Sequence, residues 1–173
     1  MNGDINVLNL ISVHPPFLKG KWWSCEDLLE KEGFGTIVRL YNFNGERDDN
    51  QDVAYIIVAD VTEDPEEPDI ATFTEDDVLK YDKVLEKSLD RIFSKDGRKM
   101  IKWMSSHLSG KTLTTAYIEQ EQNKDRQVIV LRLPHANRKM IIMGRFDIEH
   151  KNELSTPIFH TMKSFSLLDR TEQ

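Results

Sequence analysis

Val78, Tyr81, Leu85, Leu89 and Ile92 recur at helical spacing within TEDDVLKYDKVLEKSLDRIF (74–93). One amphipathic helix is predicted there. Thr74 suits its N-cap, and Glu75, Asp76 and Asp77 suit the positive end of its dipole. Lysines and Arg91 follow toward the other end. Upstream, the β-branched and aromatic runs TIVRLYNF (36–43) and VAYIIVADV (53–61) flank the turn-rich NGERDDNQD, which predicts a hairpin. LISVHPPF (10–17) reads as a short strand stopped by Pro15 and Pro16. WWSCEDLLEK (22–31) reads as one short helix, with Ser24 as N-cap and Asp27 three residues on, followed by breaks at Gly33 and Gly35.

Downstream of the long helix, four strand-like runs follow: 100–108, 111–121, 126–133 and 139–146. The gaps between them, Ser109-Gly110, QNKD and PHANR, are short and turn-like, so the runs form an antiparallel meander. STPIFHTMKSF (155–165) predicts a closing helix with Pro157 at its first position and Ile158, Phe159 and Met162 facing inward. The order is strands, long helix, meander, short helix. It predicts an α+β fold, an antiparallel sheet covered by helices. No repeat or linker interrupts the chain, so residues 1–173 read as a single domain.

Composition changes this picture little. With 39% hydrophobic and 9% aromatic residues the chain is an ordinary folded one. No run approaches the roughly 18 apolar residues of a membrane span. The opening MNGDINVLNLISV lacks the basic start of a signal peptide. Cys25 is alone, which excludes an internal disulfide and fits a reducing cytosol.

Charge changes it more. The formal net charge is −7, but residues 1–93 hold 9 basic and 21 acidic side chains, whereas residues 94–145 hold 11 basic and 4 acidic. Either the fold has one acidic and one basic surface, or it interleaves the two segments. The acid concentrates in DVTEDPEEPDIATFTEDD (60–77), with nine carboxylates and no lysine or arginine. The stretch is not an EF-hand loop, since it has no central glycine and two prolines stiffen it. Nor does it suit a glycosidase pair, which needs a burial that raises one carboxyl pKa. Two readings remain. It is a solvated loop leading into a helix, or a surface that attracts a cationic partner.

The basic segment is a poor nucleic-acid site, because aromatics are sparse around it and the chain is acidic. Lys95, Arg98, Lys99, Lys102, Arg132, Arg138, Lys139 and Arg145 read instead as solvated strand edges. The five histidines are scattered, and neither HExxH nor GxSxG occurs, so Cys25 reads as a packing residue beside Trp22 and Trp23. Those adjacent tryptophans cannot both face inward, which makes Trp22 a candidate interface anchor.

The proline-containing start, the hairpin, the long helix, and then GKTLTTAY, RQVIVLRL and FHTMKSFSLL resemble the PsbP-like fold. That fold is shared with the Mog-type Ran-binding proteins and bacterial DcrB-type proteins. The resemblance covers nearly the whole chain and is one of pattern. It implies an α/β/α sandwich and a binding role without catalytic residues or cofactor. It carries over no site residues, because the family has no common catalytic signature.

The expected function is therefore that of a non-enzymatic bacterial immunity protein, in the cytoplasm, neutralising a basic nuclease toxin. Glu63, Asp64, Glu66, Glu67, Asp69 and Trp22 would form the contact, with carboxylates standing in for phosphates, and no metal is required. One alternative is a chaperone for a type VI secretion effector, gripping it through Met100, Met104, Met140 and Met143. The other is a small-molecule or lipid carrier with a cavity between helix and sheet.

Overall fold

A computed structural model describes residues 5–7, 11–13, 22–31, 35–43, 54–92, 98–121, 123–135, 137–163 and 166–167. Two antiparallel sheets are built from them. Three short strands, β1 (Ile5–Val7), β2 (Ile11–Val13) and β10 (Ser166–Leu167), make the small one, in the order β1-β2-β10. The large sheet contains β3 (Trp22–Lys31), β4 (Gly35–Phe43), β5 (Ala54–Asp60), β6 (Arg98–Ser109), β7 (Thr112–Glu121), β8 (Lys124–His135) and β9 (Arg138–Asp147). Its order is β3-β4-β5-β9-β8-β7-β6.

The meander β6–β9 forms as its turn residues dictate. Ser109 pairs with Thr112 across a two-residue turn in which Gly110 has φ +60°. Asn123 and Asn137, at φ 64° and 63°, turn the next two hairpins. Asparagine accepts this left-handed conformation better than other residues with a Cβ. Pro134 is tolerated in β8 because β7 pairs with that strand only from Lys124 to Arg132.

Residues 22–31 form a strand and not the predicted helix. The backbone of β3 pairs with β4 from Trp22↔Phe43 to Leu28↔Ile37, then shifts at a bulge. This ladder satisfies the peptide groups that the Ser24 and Asp27 capping pattern would have placed in a helix. The long helix is present but interrupted at one residue, Tyr81, whose φ of −101° and ψ of 12° leave the helical region. α1 (Glu75–Lys80) and α2 (Asp82–Ile92) meet at Tyr81, while the bonds Tyr81 N–H to Asp77 O and Leu85 N–H to Tyr81 O run through the junction at 2.9 Å each. Tyr81 stacks on Phe73 with ring centroids 5.3 Å apart.

The Asp77 carboxylate accepts the Thr74 N–H at 2.8 Å and the Thr74 hydroxyl at 3.1 Å. The backbone bond, then the hydroxyl bond, hold its pKa below the usual aspartate value. A depressed carboxyl pKa gives stability that is present above the unfolded-state pKa and lost as pH falls through the folded one. Asp77→Ala is therefore expected to weaken the protein at neutral pH and to flatten its stability profile below about pH 4. Urea midpoints at pH 7 and pH 3 check this; an equal loss at both would refute it.

Helices cover both faces of the large sheet. On one face, Leu89 of α2 packs with Tyr117, Val128, Val130, Ile141 and Met143, and Leu85 and Val78 join Leu113 and Ile70. On the other, α3 (Lys151–Lys163) lies against β9. Leu154, Ile158 and Met162, four residues apart, are its buried stripe. The helix starts at Lys151, six residues before the predicted first position, so Pro157 stands inside it. Gly144 lets α3 sit close: a Cβ there would fall 2.8 Å from Ile158 Cγ2 and closer still to Met162 Sδ. The architecture is the expected antiparallel sheet flanked by helices.

Candidate functional site: an acidic segment clasped by the sheet

Residues 60–69 leave the end of β5 and are fastened to the sheet almost at once. Val61 N–H donates to Lys139 O at 2.9 Å and Lys139 N–H donates to Thr62 Oγ1 at 3.0 Å, which prolongs the β5–β9 ladder. Asp60 accepts from Thr62 N–H at 3.1 Å and pairs with Arg138. Asp64 accepts the Glu66 N–H at 2.9 Å, and Asp69 accepts the Ala71 N–H at 3.1 Å to cap a 3-10 turn at Ile70–Thr72. Both are local side-chain bonds typical of aspartate in turns.

Two cations hold the segment from behind. Lys139 Nζ donates to the carbonyls of Asp64 and Glu67, at 3.2 and 2.7 Å. Arg132 Nε donates to Glu67 Oε1 at 3.0 Å, and Arg132 Nη2 donates to Leu85 O at 2.8 Å. One guanidinium thus joins the acidic segment, β8 and α2. Both side chains of the pair are 2% exposed. The cavity beside them, about 10 Å³, has room for a single water.

The clasp divides the sequence-predicted contact residues. Glu63, Glu66 and Asp69 are exposed, and so are Glu75 and Asp76 beyond them. Asp64 and Glu67 are buried, at 5% and 4% exposure. Those two carboxylates face their own protein, so the contact surface narrows to the outward set. Trp22 lies in β3 opposite Phe43, and its side chain is outside the described residues, as is that of Cys25. Arg132 and Arg145 are not solvated edge residues. β8 and β9 are interior strands, and both arginines are buried.

A second charged group escaped the sequence reading. Arg145 pairs with Glu119 at 2.6 Å, and Arg126 pairs with Glu121 at 3.4 Å and Asp147 at 3.1 Å. These residues sit at facing positions of β7, β8 and β9. The signal was available in the alternation of Glu119 and Glu121 with apolar Tyr117 on the buried side of β7. These ion pairs stay within residues 119–147; the acidic and basic segments meet instead where Glu67 and Asp60 pair with Arg132 and Arg138.

The four methionines do not make one exposed face. Met140 and Met143 are buried at 1% and 0%, three residues apart on opposite faces of β9, and Met100 packs on the α2 side. Met104 has its side chain outside the described residues. A cavity of about 320 Å³ opens at the β7–β8 turn, lined by charged groups including Lys124, Asp125, Asp147 and Glu149. Its place is the turn and not the space between helix and sheet. Among the described residues no group of three or more His, Cys, Asp or Glu is arranged to hold a metal ion, and no helix is long and apolar enough to cross a membrane.

No family model matches the chain, and no curated protein matches it in sequence. Solved structures do. The solution structure of the cyanobacterial PsbP (CyanoP) from Synechocystis sp. PCC 6803 aligns over 95% of this chain and 91% of its own, with a TM-score of 0.59 and 10% identity. The fold is PsbP-like. The Ran-binding protein Mog1p of Saccharomyces cerevisiae aligns over 98% of this chain and 96% of its own, with a TM-score of 0.50 and 13% identity. Likeness at such identity establishes the PsbP-like architecture alone.

Proposed function

We propose that this PsbP-like chain is a binding protein for a basic protein partner, which docks on Glu63, Glu66, Asp69, Glu75 and Asp76. The observation that carries the reading is the clasp. Arg132, Arg138 and Lys139 fix the backbone around Glu63 and Glu66, Asp69 caps the turn that follows, and the first turn of α1 holds Glu75 and Asp76. A preorganised charged surface binds without ordering a loop and attracts its partner at long range. The specific role is that of an immunity protein which covers the phosphate-binding surface of a nuclease toxin. Support for it lies in the chemistry, since clustered carboxylates reproduce the charge of a nucleic-acid backbone.

The test neutralises the outward set in one variant, Glu63→Gln, Glu66→Gln, Asp69→Asn, Glu75→Gln and Asp76→Asn. Glutamine and asparagine keep the shape and an acceptor oxygen of each side chain, including the one Asp69 offers the Ala71 N–H, so the variant should stay folded at the capture temperature, which a melting curve checks. Tagged parent and variant are used to capture partners from the native cell at low and high salt. The parent should retain a basic protein that salt releases, with affinity at least about tenfold above the variant's. Equal capture by both proteins would sink the reading.

A further inference from the structure

Among the described residues, the helical layer on the α3 side of the large sheet stops at β8. α3 covers β9 and reaches β5 and β8. Along β7 the exposure alternates strictly: Leu113, Thr115 and Tyr117 are buried beneath α1 and α2, whereas Thr114, Ala116 and Ile118 are half-exposed. β7 is an interior strand, so this exposure comes from its face and not from an edge. Ile129 of β8, opposite Ala116, is half-exposed too. Lys102 of the edge strand β6 stands opposite Ile118, and Lys99 opposite Gln120; both lysines are exposed. Ile101, the extra residue of the bulge between Met100 and Lys102, is 46% exposed.

We infer that the open face of β6–β8 is a docking surface for one acidic amphipathic helix of a protein partner. Dimensions and charge select that occupant. Three strands spaced about 4.8 Å apart leave a shelf roughly 10 Å across, the width of a single helix. The shelf floor is small and apolar at Ala116, Ile118 and Ile129, as a packed helix requires. Lys99 and Lys102 border it on the β6 side, where a partner's carboxylates complement them. Asp125 lies across the shelf from Lys99, on β8, so the partner's carboxylates face β6 and its uncharged or basic side faces β8. The docked helix would complete the layer that α3 begins. This surface is distinct from the acidic segment and does not depend on it.

The test uses the full chain and two synthetic helical peptides of about 16 residues with the same leucine and alanine stripe. One has glutamates at its polar positions, the other lysines. Binding is read by fluorescence anisotropy, and the site by backbone amide shifts. The glutamate peptide should bind at least about tenfold more tightly than the lysine peptide and shift Thr114, Ala116, Ile118 and Ile129. Ala116→Arg, at a half-exposed position, should keep the parent melting temperature and lose the glutamate peptide. The double variant Lys99→Glu and Lys102→Glu should reverse the preference. Binding of neither peptide, equal binding of both, or shifts confined to other surfaces would overturn the inference. So would a parent that sediments as a dimer and becomes monomeric with Ala116→Arg, because a second copy would then be the occupant.

Discussion

Arg132→Leu is expected to destabilise the protein by about 3–5 kcal/mol, the usual result of breaking a buried ion pair by removing one partner. In a chain of this size the melting temperature should fall by roughly 10 °C. The reason is the environment of Glu67, whose carboxylate is buried against the guanidinium. Without Arg132 it must lie in a low-dielectric site without its cation, or the segment must lift off the sheet and lose the Lys139 bonds too. The Leu85 carbonyl also loses a donor. Adding Glu67→Met to Arg132→Leu should restore much of the stability, because a hydrophobic pair of similar volume escapes the desolvation penalty. Denaturant unfolding of parent, singles and double measures the coupling. A single variant within about 1 kcal/mol of the parent would show that the pair does not secure the segment. The restored double has a second use. If it retains partner capture, the outward carboxylates need only a fixed backbone and not this ion pair in particular.

Gly144→Val is expected to lower stability by about 3 kcal/mol, the upper part of the range for overpacking a core. The new branches would enter the space of Ile158 and Met162 and force α3 away from β9. Methionine yields more easily than a β-branched side chain, so Gly144→Ala should cost less. Met162→Ala should partly relieve Gly144→Ala, leaving the double more stable than the sum of the singles predicts. Urea unfolding of the four proteins in this second cycle reads the effect. Additive losses would mean that α3 does not rest on Gly144.

The meander was legible because its turns are written locally. Gly110, Asn123 and Asn137 are the residue types that left-handed turns require, and each lies between runs of alternating character. The α2 stripe was legible for the same reason: Leu85 and Leu89 repeat at the helical period. β3 was misread because its cap-like Ser24 and Asp27 are local signals, while the ladder to β4 that overrides them is not. The start of α3 was misplaced because Leu154 is buried by contacts that Pro157 does not announce. In the acidic segment, composition showed the charge but not its direction. Whether a carboxylate points in or out depends on Arg132, which is 65 positions from Glu67, and on Lys139, which is 72 positions from it. The open shelf was invisible for a similar reason. Its exposure follows from where α3 stops, which no strand pattern records.

The strand order has a consequence for the way this chain is made. β5 follows β4 in sequence, but its other neighbour is β9, with Ala54 opposite Phe146 and Asp60 opposite Met140. On the ribosome β3, β4 and β5 emerge before the meander and must wait with the open edge of β5 unpaired. That edge finds its partner only after the whole meander has been synthesised. The segment just after β5 bridges this delay with nine carboxylates between Asp60 and Asp77. Mutual repulsion between such segments on neighbouring nascent chains opposes the edge-to-edge pairing that an exposed strand invites.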